Sequence, residues 1–327
     1  MAVIGAGSWG TALALQLAHG GRIVNLWDID TPHLEKITKE RVNARYLPGI
    51  EFPDNLHPET SFEKCLDAVR DILIVVPSHG FRDTLQTLRP LLGTDMRICW
   101  ATKGFELSTG LLPHQVAEEL LGPRRPVAVL SGPTFAKEVA AGLPTAMTIA
   151  ANDGQFANDL AEELSSDSFR AYTANDMIGV EVGGAVKNVL AIAAGLSDGL
   201  GFGANTRVAL INRGLVEMTR LGLALGAKPA TFMGLAGMGD LVLTCTDNLS
   251  RNRRMGLALA AGKTIAEAQQ EIQQVVEGVL AAKAVRKVAE REGVEMPICI
   301  LLYQILYEDL APREAVTALM GRALKSE

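Results

Sequence analysis

The segment that most constrains this chain is its opening, Val3-Ile4-Gly5-Ala6-Gly7-Ser8-Trp9-Gly10-Thr11-Ala12. A short apolar run leads into three glycines spaced G-x-G-x-x-G, and a small-residue amphipathic stretch from Ala12 to Ala18 follows. That order reads as strand, tight turn and helix. In such a unit the first glycine permits the turn, the second lets backbone approach a bound group closely, and the third lets helix pack on strand. The helix N-terminus then offers free N–H groups and a positive dipole end to an anion, a pyrophosphate above all. A chain with 32 glycines produces short glycine patterns by chance, so the surroundings carry the argument. Arg22 to Trp27 reads as a second strand, and Asp28 closes it where a carboxylate would take ribose hydroxyls. The segment is therefore expected to bind a dinucleotide through Gly5, Gly7 and Gly10, with Asp28 on the ribose.

The rest of the first half alternates between two textures. Apolar runs rich in β-branched residues at 72–76, 97–101, 127–130 and 146–150 predict strands, with another near 169–173. Helical patterns lie between them at 62–69, 80–92, 111–121, 134–141 and 155–164. Continuous apolar strands separated by helices predict a Rossmann-like, doubly wound, mostly parallel sheet covered on both faces. Ligands bind beyond the carboxyl ends of such strands. Gly5-Ala6-Gly7, Asp28, Pro77-Ser78-His79, Thr102-Lys103-Gly104 and Ser131-Gly132-Pro133-Thr134 should therefore gather along one edge. From about Asp176 strand signals vanish, and alanine, leucine and glycine recur at helical spacing to the end. The expected organisation is a dinucleotide-binding domain over 1–176 and an all-α substrate and catalytic domain over 177–327, an α/β chain with a helical second half.

Charge and cysteines exclude several functions. A net charge of −6 gives no electrostatic reason to bind nucleic acid or an anionic membrane. Cys65, Cys99, Cys245 and Cys299 show no CxxC pairing and no histidine cluster, which predicts free thiols in a reducing compartment and no metal site. The apolar opening runs straight into the glycine turn, so no secretory signal is visible and a cytoplasmic location is the expectation. The first strand has only four residues before Gly5, so a few further residues are expected ahead of Met1. The most apolar stretch, 186–204, carries Lys187 and Asp198 and reads as a buried helix without membrane insertion. The apolar helical half is compatible with a homodimer.

Lys187 stands out in that stretch, flanked by Gly183, Gly184 and Asn188. Its bland reading is a lysine that snorkels to the surface or pairs with Glu181. Its sharper reading is a desolvated ammonium whose lowered pKa lets it exchange protons with a substrate hydroxyl. Asp240 and Thr244 lie one helical turn apart and would share a face, although Asp240 after Gly239 also suits a helix N-cap. Lys103 places a positive charge beyond a strand end. The run Ser250-Arg251-Asn252-Arg253-Arg254 offers guanidinium groups suited to bidentate phosphate recognition, against the alternative of a solvated helix face. His79 is more readily structural than catalytic, Trp9 either fills a gap or leans on a cofactor, and the spacing of Val275-Val276-Glu277-Gly278 carries no reading of its own.

Several long stretches taken in order resemble the bacterial-type NAD(P)-dependent glycerol-3-phosphate dehydrogenases. They are Gly5-Ala-Gly-Ser-Trp-Gly-Thr-Ala12, Val75-Val-Pro-Ser-His79, Ala101-Thr-Lys-Gly104, Ser131-Gly-Pro-Thr-Phe-Ala136, Gly183-Gly-Ala-Val-Lys-Asn188, Gly239-Asp-Leu-Val-Leu-Thr-Cys-Thr246 and Ser250-Arg-Asn252. The resemblance runs nearly end to end. It implies reversible hydride transfer between NAD(H) or NADP(H) and the pair dihydroxyacetone phosphate and sn-glycerol 3-phosphate, a step that supplies phospholipid backbones. It further implies that Lys187 is the acid/base, with Asp240 and Thr244 orienting it. Lys103, Gly132, Thr134, Lys187, Asn188, Asp240, Ser250, Arg251 and Asn252 would contact substrate. Ser8, Trp9, Lys103, Ala136, Arg251, Val275 and Glu277 would join the glycines and Asp28 around the cofactor. One position departs from the family pattern: Trp27 is followed by Asp28-Ile29-Asp30, and a carboxylate there favours ribose hydroxyls over the 2′-phosphate of NADPH. NADH is therefore expected to serve at least as well as NADPH, with Arg41 or Lys36 the cation that could reach over to offset the carboxylate. A dehydrogenase of β-hydroxyacids or sugar acids and a silent dinucleotide sensor are the competing readings; the arginine run and the Asp240 motif argue against the first and Lys187 against the second.

Overall fold

Eight short strands form one sheet: β1 (Ala2–Ile4), β2 (Val24–Trp27), β3 (Leu56–Pro58), β4 (Asp71–Ile74), β5 (Arg97–Trp100), β6 (Val127–Ser131), β7 (Thr145–Ala151) and β8 (Phe169–Ala174). The computed structural model describes residues 1–321. The strand order is β3-β2-β1-β4-β5-β6-β7-β8, so the chain leaves β1 to one side and returns to its other side at β4. Strands β1 to β6 are parallel, whereas β7 pairs with β6 antiparallel and β8 follows β7 in parallel. The mostly parallel sheet expected from the alternating pattern is present. The reversal at β7 was not anticipated, because an apolar run carries no information about direction. Strands β1, β4, β5 and β6 are buried at every residue, as required of strands covered on both faces.

Seven helices accompany the sheet: α1 (Ser8–His19), α2 (Thr31–Glu40), α3 (Phe62–Cys65), α4 (Phe81–Leu88), α5 (Pro113–Leu121), α6 (Ala136–Ala140) and α7 (Gly154–Leu164). Two elements escaped the sequence reading. Helix α2 buries only His33, Leu34 and Ile37, and β3 is three residues ending in proline, so neither offers much periodic signal. Helix α3 stops at Cys65, well short of the expected 69, and Ala68 has a left-handed φ of 54°.

A buried ion cluster marks the amino end of the central strands. Arg97 donates to both carboxylate oxygens of Asp71, at 2.6 and 2.9 Å, and to Asp159 at 2.5 Å. Its guanidinium also lies over the Phe156 ring, 4.3 Å from the centroid. Two carboxylates and a fixed fork satisfy the charge that burial would otherwise leave uncompensated. Hydrogen bonding to Arg97 holds the Asp159 carboxyl below its ordinary value.

The chain packs as two compact units, one of Met1–Lys103 with Pro113–Val180 and one of Gly104–Leu112 with the residues from Glu181 onward. The second unit is helical: α8 (Met177–Gly199), which begins in the first unit, α9 (Ala204–Ala224), α10 (Pro229–Phe232), α11 (Asp240–Thr246), α12 (Arg251–Ala260), α13 (Ile265–Ile272), α14 (Glu277–Glu292), α15 (Pro297–Tyr307) and α16 (Pro312–Met320). The segment Gly104–Leu112 is held on α14, where Lys287 donates to the Ser108 carbonyl. By length and composition α8 is apolar enough to cross a membrane, but 89% of its most apolar window is buried inside the protein. It is the core helix of this unit.

Glu217 on α9 is a buried carboxylate placed against the first turn of α15. It accepts from the N–H groups of Ile298 at 2.7 Å and Cys299 at 3.2 Å, at a helix end where free N–H groups need acceptors. Burial outweighs these bonds and the nearby Arg220, pushing its pKa up from 4.5 to about 7. A carboxyl raised in the folded state keeps its proton longer than the unfolded chain does. Its contribution to stability therefore falls as pH rises from about 4.5 through about 7. The Tm of the natural chain relative to Glu217→Gln should accordingly be higher at the acid end of that window than at its neutral end. A pH-independent difference would contradict this.

Candidate active site

In the sheet unit the residues that follow the parallel strands share one edge, and several are tied together there. Gly5 takes φ +113°, donates to the Trp27 carbonyl at 2.7 Å, and leaves a Cβ no room, since one would lie 2.3 Å from the Val75 carbonyl oxygen. A Cβ on Gly10 would lie 1.8 Å from the Gly5 carbonyl oxygen, so α1 starts directly against the loop only because that residue is glycine. Helix α1 begins after an extended Gly7 with no side-chain cap and no acidic residue in its first turn. Its first internal bond runs from Thr11 N–H to Gly7 O at 3.0 Å. These features fit a bound pyrophosphate: the first turn presents N–H groups with no carboxylate competing for them.

Asp28 lies at this edge and engages the loop itself. Its Oδ2 accepts from Ala6 N–H at 2.6 Å and its Oδ1 from Asp30 N–H at 3.0 Å. Asp30 caps α2 through His33 N–H at 3.1 Å and pairs with Arg45 at 3.2 Å. Arg41 has a structural task here. Its guanidinium donates to the carbonyls of Leu56 at 3.0 Å, Pro53 at 2.7 Å and Phe52 at 3.4 Å, so it braces the loop before β3. Lys36 is exposed on α2.

Farther along the edge, the Thr102 hydroxyl donates to Val76 O at 2.7 Å, and half-buried Lys103 follows it. Gly132 follows β6, Thr134 donates to the Gly132 carbonyl at 3.3 Å, and Ala136 opens α6. Trp9 packs, partly buried, on the core of this unit, and Ser8 is half-buried beside it. His79 lies exposed in a short turn after β4.

In the helical unit the structure brings Lys187, Asp240 and Thr244 into contact. Lys187 is only 7% exposed, and its Nζ donates to Asp240 Oδ1 and, at 3.1 Å, to Thr244 Oγ1. The Thr244 hydroxyl donates to the Asp240 main-chain carbonyl at 2.6 Å. A π-helical turn at Leu235–Gly239 leads into α11, and the i,i+4 spacing of Asp240 and Thr244 puts both on the lysine side. The N-cap position is taken by Gly239, and Asp240 is the first helical residue of α11. Each charge in the pair is what makes burial of the other tolerable. The neighbouring Cys245 thiol is pushed up to about 12 by burial, and all four cysteines are free and buried, so none is an available nucleophile.

A second buried network adjoins these residues in sequence. Asn252 donates to Asn188 Oδ1 at 2.9 Å, and its own Oδ1 accepts from Gly278 N–H at 2.9 Å. Three helices, α8, α12 and α14, are thereby joined at the residues next to Lys187, Arg251 and Glu277. This gives the Val275-Val276-Glu277-Gly278 segment a place that its spacing alone did not reveal; Val275 is 44% exposed and Glu277 opens α14. Ser250 caps α12, accepting from Arg253 N–H at 3.2 Å. The arginine run divides. Arg253 turns inward to Asp198 at 2.5 Å, Asn248 at 3.0 Å and Cys245 O at 3.2 Å, a structural role, whereas Arg251 is half-buried at the helix start.

Comparison with known proteins matches both units. Family models described as the NAD-dependent glycerol-3-phosphate dehydrogenase N-terminus and C-terminus match residues 1–157 and 176–317. The chain is 58% identical to the glycerol-3-phosphate dehydrogenase [NAD(P)+] of Klebsiella pneumoniae and 57% identical to that of Escherichia coli. Each alignment covers 100% of this chain and 97% of the relative. The crystal structure of glycerol-3-phosphate dehydrogenase from Coxiella burnetii superposes with a TM-score of 0.96 at 50% identity, covering 98% of both chains. The chain belongs to the NAD-dependent glycerol-3-phosphate dehydrogenase family.

Proposed function

We propose that this chain catalyses the reaction for which its family is named, with Lys187 as the group that moves the proton. It is an oxidoreductase that interconverts dihydroxyacetone phosphate and sn-glycerol 3-phosphate with NAD(P)H, the reduced product being a precursor of glycerophospholipids. The observation that carries the mechanism is the buried Lys187 ammonium hydrogen-bonded to Asp240 and Thr244. A bound nicotinamide supplies or accepts the hydride at the substrate carbon. The protein's part is to place a positive charge and a transferable proton beside the substrate oxygen. In reduction Lys187 donates that proton to the oxygen as it gains electron density; in oxidation it takes the proton from the hydroxyl. Asp240 keeps the ammonium charged and aimed, and Thr244 fixes a second of its three N–H directions.

Lys103, Gly132 and Thr134 in the sheet unit, and Asn188, Ser250, Arg251 and Asn252 in the helical unit, are assigned to the substrate. The Ser250 hydroxyl accepts a backbone N–H as a cap and retains its own proton for a phosphate oxygen. Arg251 offers the planar fork suited to that phosphate. Gly5, Gly7, Ser8, Trp9, Gly10, Asp28, Lys103, Ala136, Arg251, Val275 and Glu277 are assigned to the dinucleotide. Each Asp28 oxygen holds one backbone N–H and keeps a lone pair for a ribose hydroxyl, whereas its charge opposes a 2′-phosphate.

Three outcomes test this reading. Lys187→Ala should lower kcat with dihydroxyacetone phosphate by at least about a hundredfold, the low end of what a positioned acid/base supplies, with NADH affinity retained. Near-normal turnover would refute the assignment. Arg251→Ala should raise the KM for dihydroxyacetone phosphate, and unchanged KM and kcat/KM would remove its phosphate role. Initial rates with both reduced cofactors should show NADH used at least as well as NADPH; a preference for NADPH beyond about tenfold (about 1.4 kcal/mol) would contradict the role given to Asp28.

A further inference from the structure

Ala6 lies between the first two glycines, and side chains from distant segments hold the peptides on both its sides. Its N–H, part of the Gly5–Ala6 peptide, donates to Asp28 at 2.6 Å. Its carbonyl, part of the Ala6–Gly7 peptide, accepts from Asn43 Nδ2 at 2.9 Å and from Thr11 Oγ1 at 3.3 Å. Asn43 Nδ2 also donates to Thr11 Oγ1 at 2.8 Å, and both side chains are completely buried. Asn43 itself is braced: its Oδ1 accepts from Tyr46 N–H at 3.3 Å, and its carbonyl accepts from Leu47 N–H at 2.8 Å. Just before it, Arg41 pins the segment through the carbonyls of Phe52, Pro53 and Leu56.

The geometry of the peptide bond turns this clamp into a pointing device. A trans peptide is planar, with its C=O and N–H directed oppositely. A carbonyl drawn towards Asn43 therefore aims the Gly7 N–H away from Asn43, and Gly7 is the N-cap of α1, the helix end that would receive an anion. The amide of Asn43 presents two N–H donors, one for each partner, and an oxygen that accepts from the loop behind it. Aspartate has the same shape but no donor, and would set a negative charge against the Ala6 carbonyl.

We propose that Asn43 is a positioning residue for the dinucleotide, acting through the Ala6–Gly7 peptide. The proposal rests on the assignment of Gly5 to Gly10 as the pyrophosphate loop. Preorganising a donor before binding removes the cost of ordering it afterwards, so the effect should fall on cofactor affinity.

The test is NADH titration by fluorescence, with initial-rate kinetics, on the full chain and on Asn43→Ser and Thr11→Val. Folding of each is checked by circular dichroism. In Asn43→Ser the NADH Kd and KM should rise about tenfold or more, with the KM for dihydroxyacetone phosphate changed less than about twofold. Thr11→Val keeps the Asn43–Ala6 bond and should raise the NADH Kd by only about two- to threefold. A folded Asn43→Ser protein with a lowered Tm and unchanged NADH Kd would show a purely structural role and overturn the proposal. Should Asn43→Ser fail to fold, an unchanged Kd in Thr11→Val overturns it. Absence of NADH binding by the natural chain would instead refute the assignment of the loop, a result distinct from either.

Discussion

The helical unit is organised around one expensive object, a lysine ammonium held out of water on an apolar helix. Burying a lone charge of this kind costs several kcal/mol, and the chain offsets it with a carboxylate and a hydroxyl supplied by a different helix. That requirement explains several local choices together. The π-helical turn at Leu235–Gly239 sets where α11 begins, so that Asp240 arrives as its first residue, where its carboxylate accepts from Lys187. The four-residue spacing brings Thr244 to the same nitrogen. The Asn188–Asn252–Gly278 chain then fixes α8 against α12 and α14 one residue along. A group proposed to move a proton needs this restraint, because one free to turn to solvent does not keep its direction.

The sheet unit follows a related logic with backbone in place of a charge. A glycine loop gains close approach to a ligand at the expense of conformational freedom. Here the freedom is removed by side chains from outside the loop: Asp28 holds one peptide, and Asn43 with Thr11 holds the next. The same Asp28 that reads as a ribose ligand is therefore also a strut of the loop. Arg41, which the sequence offered as a cation near the cofactor, turns out to be a strut of the segment that carries Asn43. Polar residues beside a binding loop serve its shape as well as its ligand.

What could be read from the sequence followed from how strongly each element repeats its own physics. The fully buried strands β1, β4, β5 and β6 announce themselves as unbroken apolar runs. The glycine loop is legible because Gly5 and Gly10 have no steric alternative. Strand β3 and helix α2 were missed because each buries too few residues to leave a period. Contacts between residues far apart in sequence were the least accessible. Arg253 pairs with Asp198 across 55 positions, and nothing in the arginine run distinguished it from Arg251. Asn43 was silent for the same reason: an isolated asparagine in a loop has no pattern, and only the fold shows it behind Ala6. The Lys187–Asp240–Thr244 grouping was half legible, through the oddity of a lysine in an apolar helix and through the i,i+4 pair.

The central claim is that Asp240 exists to keep the buried ammonium charged and aimed. Steady-state kinetics and NADH titration of Asp240→Asn test it most directly, since the amide preserves shape and one acceptor oxygen while removing the negative charge. The account predicts a fall in kcat of about tenfold or more with NADH affinity unchanged, because the charge acts on the proton donor and leaves the dinucleotide loop untouched. An Asp240→Asn enzyme that retains full kcat across the pH range would contradict it.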